Sequence, residues 1–294
     1  MSDNPLVSVV MATYQMARHL PEAVASVLGQ DYAPLELIVV DDGSTDETPA
    51  VLERFAGDPR LRVIRQENAG QTVAKNRGLA AARGELVGFC DADNAWLPDK
   101  LSLQVPCFRD RPELGVVYGD VQFMDDAGRD LPTPRPHRPS GRITGRLLAD
   151  NFVPFNTALV PRRILEEVGG FDETLSMAID YDLWLRISVR YEFLHLDRVL
   201  ARYRIWGGQM SHRTGERLDN AFRMMDNFLA RHPGAVTPAE ARRAWAHTYT
   251  TRGQWHAREG RRRAALADFG RALARVPWDG RTWRSLARLA LGKR

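Results

Sequence analysis

The chain reads LELIVVDDGSTDET at residues 35–48. A run of large apolar residues ends at Asp41 and Asp42, and Gly43 then begins a polar turn that leads into a short helical stretch. A strand without polar alternation is typical of a parallel sheet that is covered on both faces. This stretch therefore predicts a buried strand, a turn and a helix, in that order.

The same pattern occurs on both sides of this stretch. Apolar runs at residues 6–12, 62–65 and 86–90 alternate with helical patterns at 18–30, 72–83 and 97–108. The alternation predicts an α/β fold of the nucleotide-binding type with a mainly parallel central sheet. Four prolines between residues 130 and 142 predict a long surface connection, and a further helix is predicted at 179–189.

Composition and cysteine content narrow the class of protein. The 294 residues are 44% hydrophobic, which is typical of a globular protein with a sizeable core. The longest apolar runs are far shorter than the roughly 20 residues of a membrane-spanning helix. Asp3 stands where a secretory signal would carry positive charge, and Cys90 and Cys107 offer no disulfide framework. We therefore expect a cytoplasmic protein.

The charge is distributed unevenly along the chain. Residues 233–294 carry a net charge of +10, and residues 1–232 carry −6. Pro233 and Gly234 interrupt the chain at this point, and Arg- and Ala-rich helical sequence follows. This asymmetry predicts two domains with different partners, a body at 1–232 and a basic helical tail at 233–294.

Three polar clusters follow the predicted strands directly. In a doubly wound sheet the ligand lies beyond the carboxyl ends of the strands. The clusters at these positions are Thr13-Tyr14, Asp41-Asp42-Gly43-Ser44 and Asp91-Ala92-Asp93-Asn94. If the strands are parallel, all three clusters share one rim of the sheet.

Asp91 and Asp93 are the candidate metal ligands. Two carboxylates at the end of a buried strand are costly without a positive partner. A hard divalent cation, held by one or two carboxylates and by diphosphate oxygens, is a natural occupant of such a site. The alternative is that Asp93 or Asn94 caps a helix.

Tyr14 and Asp42 are the candidates for binding a nucleobase. A flat aromatic ring at a strand end offers a stacking surface, and a carboxylate beside it can accept a hydrogen bond from a base imide. In the alternatives, Tyr14 belongs to the core, and the Asp-Gly turn only leads into a helix capped by Thr45 or Asp46.

Two predicted helices carry further candidates. Lys75 or Arg77 reaches a diphosphate from the helix at 72–83, or else these two cations belong to a solvated helix face. Asp180 lies in the first turn of the helix at 179–189, where the helix dipole keeps a carboxylate ionised, and it is a candidate general base or a helix cap. Asp182 and Arg186 are four residues apart and predict a structural ion pair.

Ordered motifs connect these candidates to a known family. They are Val7-Ser8-Val9-Val10, Thr13-Tyr14, Val39-Val40-Asp41-Asp42-Gly43-Ser44, Asn68-Ala69-Gly70, Lys75-Asn76-Arg77-Gly78, Asp91-Ala92-Asp93, Gly169-Gly170-Phe171-Asp172 and Asp180-Tyr181-Asp182-Leu183-Trp184. In these motifs and their order the sequence resembles family 2 of the inverting nucleotide-sugar glycosyltransferases. That family has the A-type fold, a Rossmann-like nucleotide-diphospho-sugar transferase fold.

The resemblance implies a role for each candidate. Tyr14 would stack on uracil or another base, next to Thr13, and Asp42 would bind the imide edge. Asp91 would contact the ribose and, with Asp93, the Mn²⁺ or Mg²⁺ that bridges the diphosphate, with Lys75 nearby. Asp180 would deprotonate the acceptor hydroxyl. These roles are implied by the resemblance alone.

The resemblance also implies the two substrates. The donor would be a nucleoside-diphosphate sugar, with a UDP-sugar expected, and the acceptor a glycan or a lipid-linked hydroxyl, as in cell-surface polysaccharide synthesis. The alternative is a catalytically silent nucleotide- or glycan-binding module that recruits partners through its tail. The presence of both Asp93 and Asp180 favours the enzyme.

The sequence departs from the family pattern at three positions. Asn94 stands where many members have a further Asp, and Ile179 replaces the Glu that usually precedes the base. Trp206 stands where many relatives have His, and His212 could substitute for it only in part.

The tail resembles one tetratricopeptide repeat. Gly253, Ala265, Phe269, Ala272 and Pro277 have the relative spacing of that repeat. Arginines and tryptophans together suit the headgroup region of an anionic membrane, so a peripheral contact at the inner membrane face is one expectation. Packing on the acidic body is the alternative. No nucleic-acid partner is expected, because no base-reading motif accompanies the charge.

Overall fold

A computed structural model describes residues 3–209 and 214–291 of the chain. Its contacts divide the chain into two compact units, Met1–Arg142 with Val153–Gly207, and Ile143–Phe152 with Gly208–Arg294. The sequence placed the division near residue 232. The contacts instead group the helix before residue 232, together with a short segment from the middle of the chain, with the tail.

The first unit contains one eight-stranded sheet. Its strands are β1 (Val7–Thr13), β2 (Leu35–Asp41), β3 (Leu61–Arg65), β4 (Leu86–Phe89), β5 (Ala95–Trp96), β6 (Leu114–Met124), β7 (Leu159–Pro161) and β8 (Glu192–Arg204). Their order across the sheet is β3-β2-β1-β4-β7-β6-β8-β5. The first four strands are mutually parallel, whereas β7 and β5 run antiparallel to their neighbours. The predicted α/β class with a mainly parallel sheet is confirmed.

Eleven helices lie within the described residues. They are α1 (Leu20–Leu28), α2 (Thr48–Glu53), α3 (Gln71–Ala81), α4 (Lys100–Gln104), α5 (Thr144–Ala149), α6 (Arg162–Val168), α7 (Ile179–Ser188), α8 (Thr214–Arg231), α9 (Pro238–Arg258), α10 (Arg262–Arg275) and α11 (Gly280–Ala290). Helix α5 and helices α8–α11 belong to the second unit. None of the helices described here is long and apolar enough to cross a bilayer.

Burial explains why the strands lack polar alternation. Every residue of β2 is buried, as are six of the seven residues of β1. Helix α3 packs closely on β1 because Gly78 has no side chain, and a Cβ at this position would overlap Val10. The edge strand β3 is largely exposed, which accounts for its weaker apolar pattern.

The Pro-rich segment has no helix, as predicted, but it is held against the sheet. The Tyr118 hydroxyl donates to the Pro139 carbonyl at 2.6 Å. The Arg138 Nε donates to Asp120 Oδ1 at 3.0 Å, and the His195 ring lies 3.2 Å from the same oxygen. Two β-bridges, Met124 with Asp130 and Gly141 with Phe193, form at its ends.

The second unit is helical, as the tail sequence predicted. Gly253 of α9 lies against Phe269 of α10, where an added Cβ would stand 2.6 Å from the ring. The buried Asp268 accepts hydrogen bonds from Arg252 at 2.7 and 2.9 Å and from Arg271 at 2.9 Å. Burial raises the pKa of Asp268, but these arginines outweigh it and hold the pKa below its usual value. The tetratricopeptide resemblance stays a prediction.

Candidate active site

The three predicted polar clusters lie at one rim of the sheet. Strand register places Thr13 of β1 beside Asp41 of β2, and β4 lies on the other side of β1. The carboxyl ends of these parallel strands therefore stand side by side, with Tyr14, Asp42 and Asp91 following them. The structure brings the candidates together as the sequence predicted.

Tyr14 projects from this rim. It is 47% exposed, whereas Thr13 is 3% exposed, so the alternative that Tyr14 belongs to the core is wrong. Within the described residues the Thr13 hydroxyl is buried and lacks a hydrogen-bond partner. The Tyr14 ring can therefore offer a flat surface to a base, while Thr13 lies behind it.

Asp42 holds the loop that begins α3. Its carboxylate accepts hydrogen bonds from Gln66 Nε2 at 2.7 Å and from the backbone N–H groups of Ala69 and Gly70, both at 2.9 Å. Gly70 adopts a φ of +92°, a backbone conformation that glycine tolerates. These three hydrogen bonds use three of the roughly four acceptor positions of a carboxylate, and Asp42 is only 3% exposed.

Helix α3 also carries Lys75 to the rim. The Lys75 Nζ lies 3.1 Å from Asp91 Oδ1 and 4.2 Å from the centroid of the Phe155 ring. Lys75 is only 7% exposed. The solvated-face alternative is therefore wrong for Lys75, although Arg77 on the same helix is exposed.

Asn156 fixes Asp91 from a second direction. The side-chain oxygen of Asn156 accepts from the Asp91 backbone N–H at 2.6 Å, and its amide donates to Asp91 Oδ2 at 2.9 Å. Both carboxylate oxygens of Asp91 therefore contact protein donors, Lys75 and Asn156. Sequence reasoning missed Asn156, because nothing in the local pattern distinguishes an asparagine that lies 65 residues from its partner.

Asp93 receives a hydrogen bond that the sequence did not predict. The Trp206 indole Nε1 donates to Asp93 Oδ2 at 2.9 Å. No helix begins at Asp93 or Asn94, since β5 follows at once and α4 starts only at Lys100. The helix-cap alternative for these two residues is therefore wrong, and Asn94 instead accepts from the Arg204 backbone N–H at 2.8 Å. His212 lies outside the described residues.

The carboxylate oxygens at this rim suit a cation whose coordination is completed by a substrate. Among residues 3–209 and 214–291, no three His, Cys, Asp or Glu side chains form a closed metal site. Mg²⁺ is usually bound through one or two carboxylates, with substrate phosphates completing its coordination. Asp91 and Asp93 are both half-buried carboxylates at the strand end, which fits that mode of binding.

The loop that precedes α7 is held by α3. The Asn76 amide donates to the Phe171 carbonyl at 2.9 Å, and its oxygen accepts from the Phe171 backbone N–H at 2.9 Å. The Thr72 hydroxyl donates to the Leu175 carbonyl at 3.0 Å. The first turn of α7, which contains the half-buried Asp180, is thus joined to the same helix that carries Lys75.

The predicted ion pair of α7 is confirmed. Arg186 Nε donates to Asp182 Oδ2 at 2.8 Å, and its other nitrogens donate to the carbonyls of Val168 and Gly170, both at 2.6 Å. Trp184 packs edge-on against Phe89 of β4. Asp182 therefore has a structural role.

A histidine lies behind Trp206. The ring centroids of His19 and Trp206 are 5.2 Å apart. Burial and the nearby Arg204 lower the pKa of His19. Asp126 Oδ1 lies 3.2 Å from His19 Nε2 and acts against this lowering of the pKa.

Comparison with known proteins identifies the family. The model of glycosyl transferase family 2 matches residues 8–169, more than half of the chain. The chain belongs to this family of glycosyltransferases.

Two relatives show how far the likeness extends. Chondroitin synthase of Escherichia coli is 29% identical over 231 residues, which cover 77% of this chain and 33% of the relative. An uncharacterized glycosyltransferase of Nostoc is 31% identical over 214 residues, which cover 68% of this chain and 65% of the relative. The chain thus spans about a third of the length of the chondroitin synthase.

Solved structures share the fold. The mannosyltransferase PcManGT from Pyrobaculum calidifontis, in complex with GDP-Man and Mn²⁺, is 23% identical with a TM-score of 0.68, over 99% of this chain and 80% of that one. TarS of S. aureus is 19% identical with a TM-score of 0.67, over 92% of this chain and 81% of that one. A further TarS structure contains UDP-GlcNAc.

Proposed function

We propose that this chain transfers a sugar from a nucleoside-diphosphate sugar to an acceptor hydroxyl with inversion at the anomeric carbon. The observation that supports this most is the grouping, at one rim, of an exposed aromatic ring, a buried lysine and carboxylates fixed by hydrogen bonds. Each is a group that a base, a diphosphate or a cation requires. A UDP-sugar is the proposed donor, in line with the UDP-GlcNAc in the TarS structure.

Different residues of the chain bind different parts of the donor. Tyr14 stacks on the base, and the Asp42 carboxylate accepts a hydrogen bond from the imide N–H. Asp91, oriented by Lys75 and Asn156, contacts the ribose. Asp93, with Asp91 beside it, holds Mn²⁺ or Mg²⁺, which when bound neutralises charge on the departing diphosphate.

Asp180 acts on the acceptor. It takes the proton from the acceptor hydroxyl while that oxygen forms its bond to the anomeric carbon, and the diphosphate leaves with the electrons of the bond that breaks. Attack opposite the leaving group inverts the anomeric configuration. The acceptor that we propose is a glycan or a lipid-linked hydroxyl, in line with the polysaccharide that names the E. coli relative.

Donor turnover tests this proposal directly. The chain is incubated with UDP-sugars and GDP-mannose, with Mn²⁺, with Mg²⁺ and with excess EDTA, and release of the nucleoside diphosphate is measured. We expect metal-dependent release from at least one UDP-sugar. Nucleotide binding without any release, in the presence of glycan acceptors, would instead indicate the silent binding module.

We also propose that the second unit contacts an anionic membrane at the cytoplasmic face. Trp278 and Trp283, on either side of the start of α11, are 82% and 54% exposed. Exposed tryptophan next to arginine suits a headgroup layer, where each cation contributes about 1 kcal/mol. Two arginines of the tail are not available to lipid headgroups, since Arg252 and Arg271 bind Asp268.

Vesicle binding tests the membrane proposal. The full chain is mixed with vesicles of anionic or zwitterionic lipid, and the bound fraction is measured by flotation at low and at moderate salt. We expect binding to anionic vesicles only, released by salt and lost in the Trp278→Ser, Trp283→Ser double variant. A chain that does not bind anionic vesicles at low salt would leave the tail as a structural or protein-docking element.

A further inference from the structure

Trp206 contacts the carboxylate that we assign to the cation. Its indole Nε1 donates to Asp93 Oδ2 at 2.9 Å, and its ring packs against His19. The family resemblance places a histidine at this position in many relatives. An indole offers only a donor N–H, so Trp206 cannot bind a cation through nitrogen as an imidazole does.

The end of strand β8 also fixes the backbone at Asp93. Arg204 Nε donates to the Asp93 carbonyl at 2.9 Å, and the Arg204 backbone N–H donates to Asn94. The Arg204 guanidinium is buried and forms an ion pair with Glu22. Because this backbone is fixed, the Trp206 ring two residues later stands at a defined place beside the Asp93 carboxylate.

We propose that Trp206 is a positioning residue: its N–H holds Asp93 Oδ2 and so fixes the orientation in which the Asp93 carboxylate meets the cation. This inference rests on the metal role proposed above for Asp93. A carboxylate that accepts a hydrogen bond from a fixed donor is restricted in rotation, so a cation meets it in one orientation. Hydrogen-bond partners of metal ligands commonly change metal affinity by about 10- to 100-fold.

The Trp206→Phe variant tests the hydrogen bond separately from the ring. Phenylalanine keeps an aromatic ring against His19 and removes the N–H. Mn²⁺ is titrated calorimetrically into wild type and variant in the presence of UDP or GDP, whichever the wild type binds. We expect the variant to bind Mn²⁺ about 10- to 100-fold more weakly, with the thermal unfolding of the metal-free protein unchanged.

Trp245→Phe serves as a matched control. Trp245 belongs to α9 in the second unit, and its ring lies 5.7 Å from that of Phe222. The control makes the same chemical change in another aromatic pair, outside the candidate site. We expect it to bind Mn²⁺ as the wild type does.

A double-mutant cycle separates positioning from a general structural effect. Because Trp206 acts through Asp93, Trp206→Phe should cause no further loss of Mn²⁺-dependent nucleotide affinity in an Asp93→Ala background. An equal loss in both backgrounds would show that Trp206 acts by another route.

Three results of the titration would overturn the inference. Unchanged Mn²⁺ affinity in Trp206→Phe would make the hydrogen bond incidental. Tighter binding would mean that Trp206 competes with the cation for Asp93. A wild-type chain that binds no Mn²⁺ with either nucleotide would refute the proposed metal role itself, which distinguishes that failure from the other two.

Discussion

Replacing Asn156 with alanine removes both side-chain hydrogen bonds to Asp91. One of these bonds is neutral, to the Asp91 backbone N–H, and the other is charge-assisted, to the carboxylate. A neutral bond contributes about 1 kcal/mol and a bond to a charged group about 1.5–3 kcal/mol. We therefore expect the free energy of unfolding of the first unit to fall by about 3 kcal/mol.

The same change should weaken donor binding. Asp91 keeps its contact with Lys75 but loses the partner that orients Oδ2, and loss of a hydrogen-bond partner of a metal ligand commonly weakens metal affinity by about 10- to 100-fold. Urea unfolding measures the stability, and calorimetry with UDP and Mn²⁺ measures the affinity.

Asn4→Ala provides a matched control for this prediction. Asn4 donates one exposed hydrogen bond to the Ala33 carbonyl at 2.9 Å, so the control deletes the same amide far from Asp91. We expect a loss below about 1 kcal/mol and unchanged nucleotide affinity. An Asn156→Ala variant as stable as the control, with wild-type affinity, would refute the reasoning.

Three further predictions follow from individual carboxylates. Asp93→Asn should reduce turnover by about two orders of magnitude or more, and full turnover of the wild type in excess EDTA would contradict the metal role. Asp180→Asn should keep donor affinity, measured by nucleotide titration, and lose sugar transfer, measured by product formation. A greater loss of transfer in a folded Asp182→Asn variant would mean that the wrong carboxylate was assigned as the base. Burial raises the pKa of Glu36, but hydrogen bonds from Ser8 and Arg83 outweigh it and hold the pKa below its usual value. The stability that Glu36 contributes is therefore present above its ordinary pKa and is lost as the pH falls through the lower pKa of the folded state. We expect the free energy of unfolding of Glu36→Gln to depend less on pH in this range than that of the wild type.

The parallel half of the sheet and its rim could be predicted because strand burial determines the local pattern of apolar and polar residues. Strands β1, β2 and β4 are covered on both faces, so their apolar residues are continuous, and polar residues appear where each strand ends. The ion pair between Asp182 and Arg186 was predictable for a similar reason, since helical spacing places the two side chains together.

The rest of the sheet and site depends on pairing between distant residues. Strand β6 pairs with β8, and the three-residue β7 lies between β4 and β6, but no local pattern specifies these neighbours. Asn156 and Trp206 reach Asp91 and Asp93 across 65 and 113 residues. The six-residue α5 groups with the tail helices because it contacts α9. The sequence of α5 does not predict this contact.

Helix α3 fixes the spacing between the parts of the candidate site. Its start binds Asp42, its middle binds Asp91 through Lys75, and Asn76 holds the loop before Asp180. A helix advances about 1.5 Å per residue and completes a turn in about 3.6 residues. One residue inserted before Lys75 would therefore rotate both Lys75 and Asn76 by about 100°, away from both of their partners at once. The number of residues between Gly70 and Asn76 therefore sets where Lys75 and Asn76 stand relative to their partners on either side of the helix.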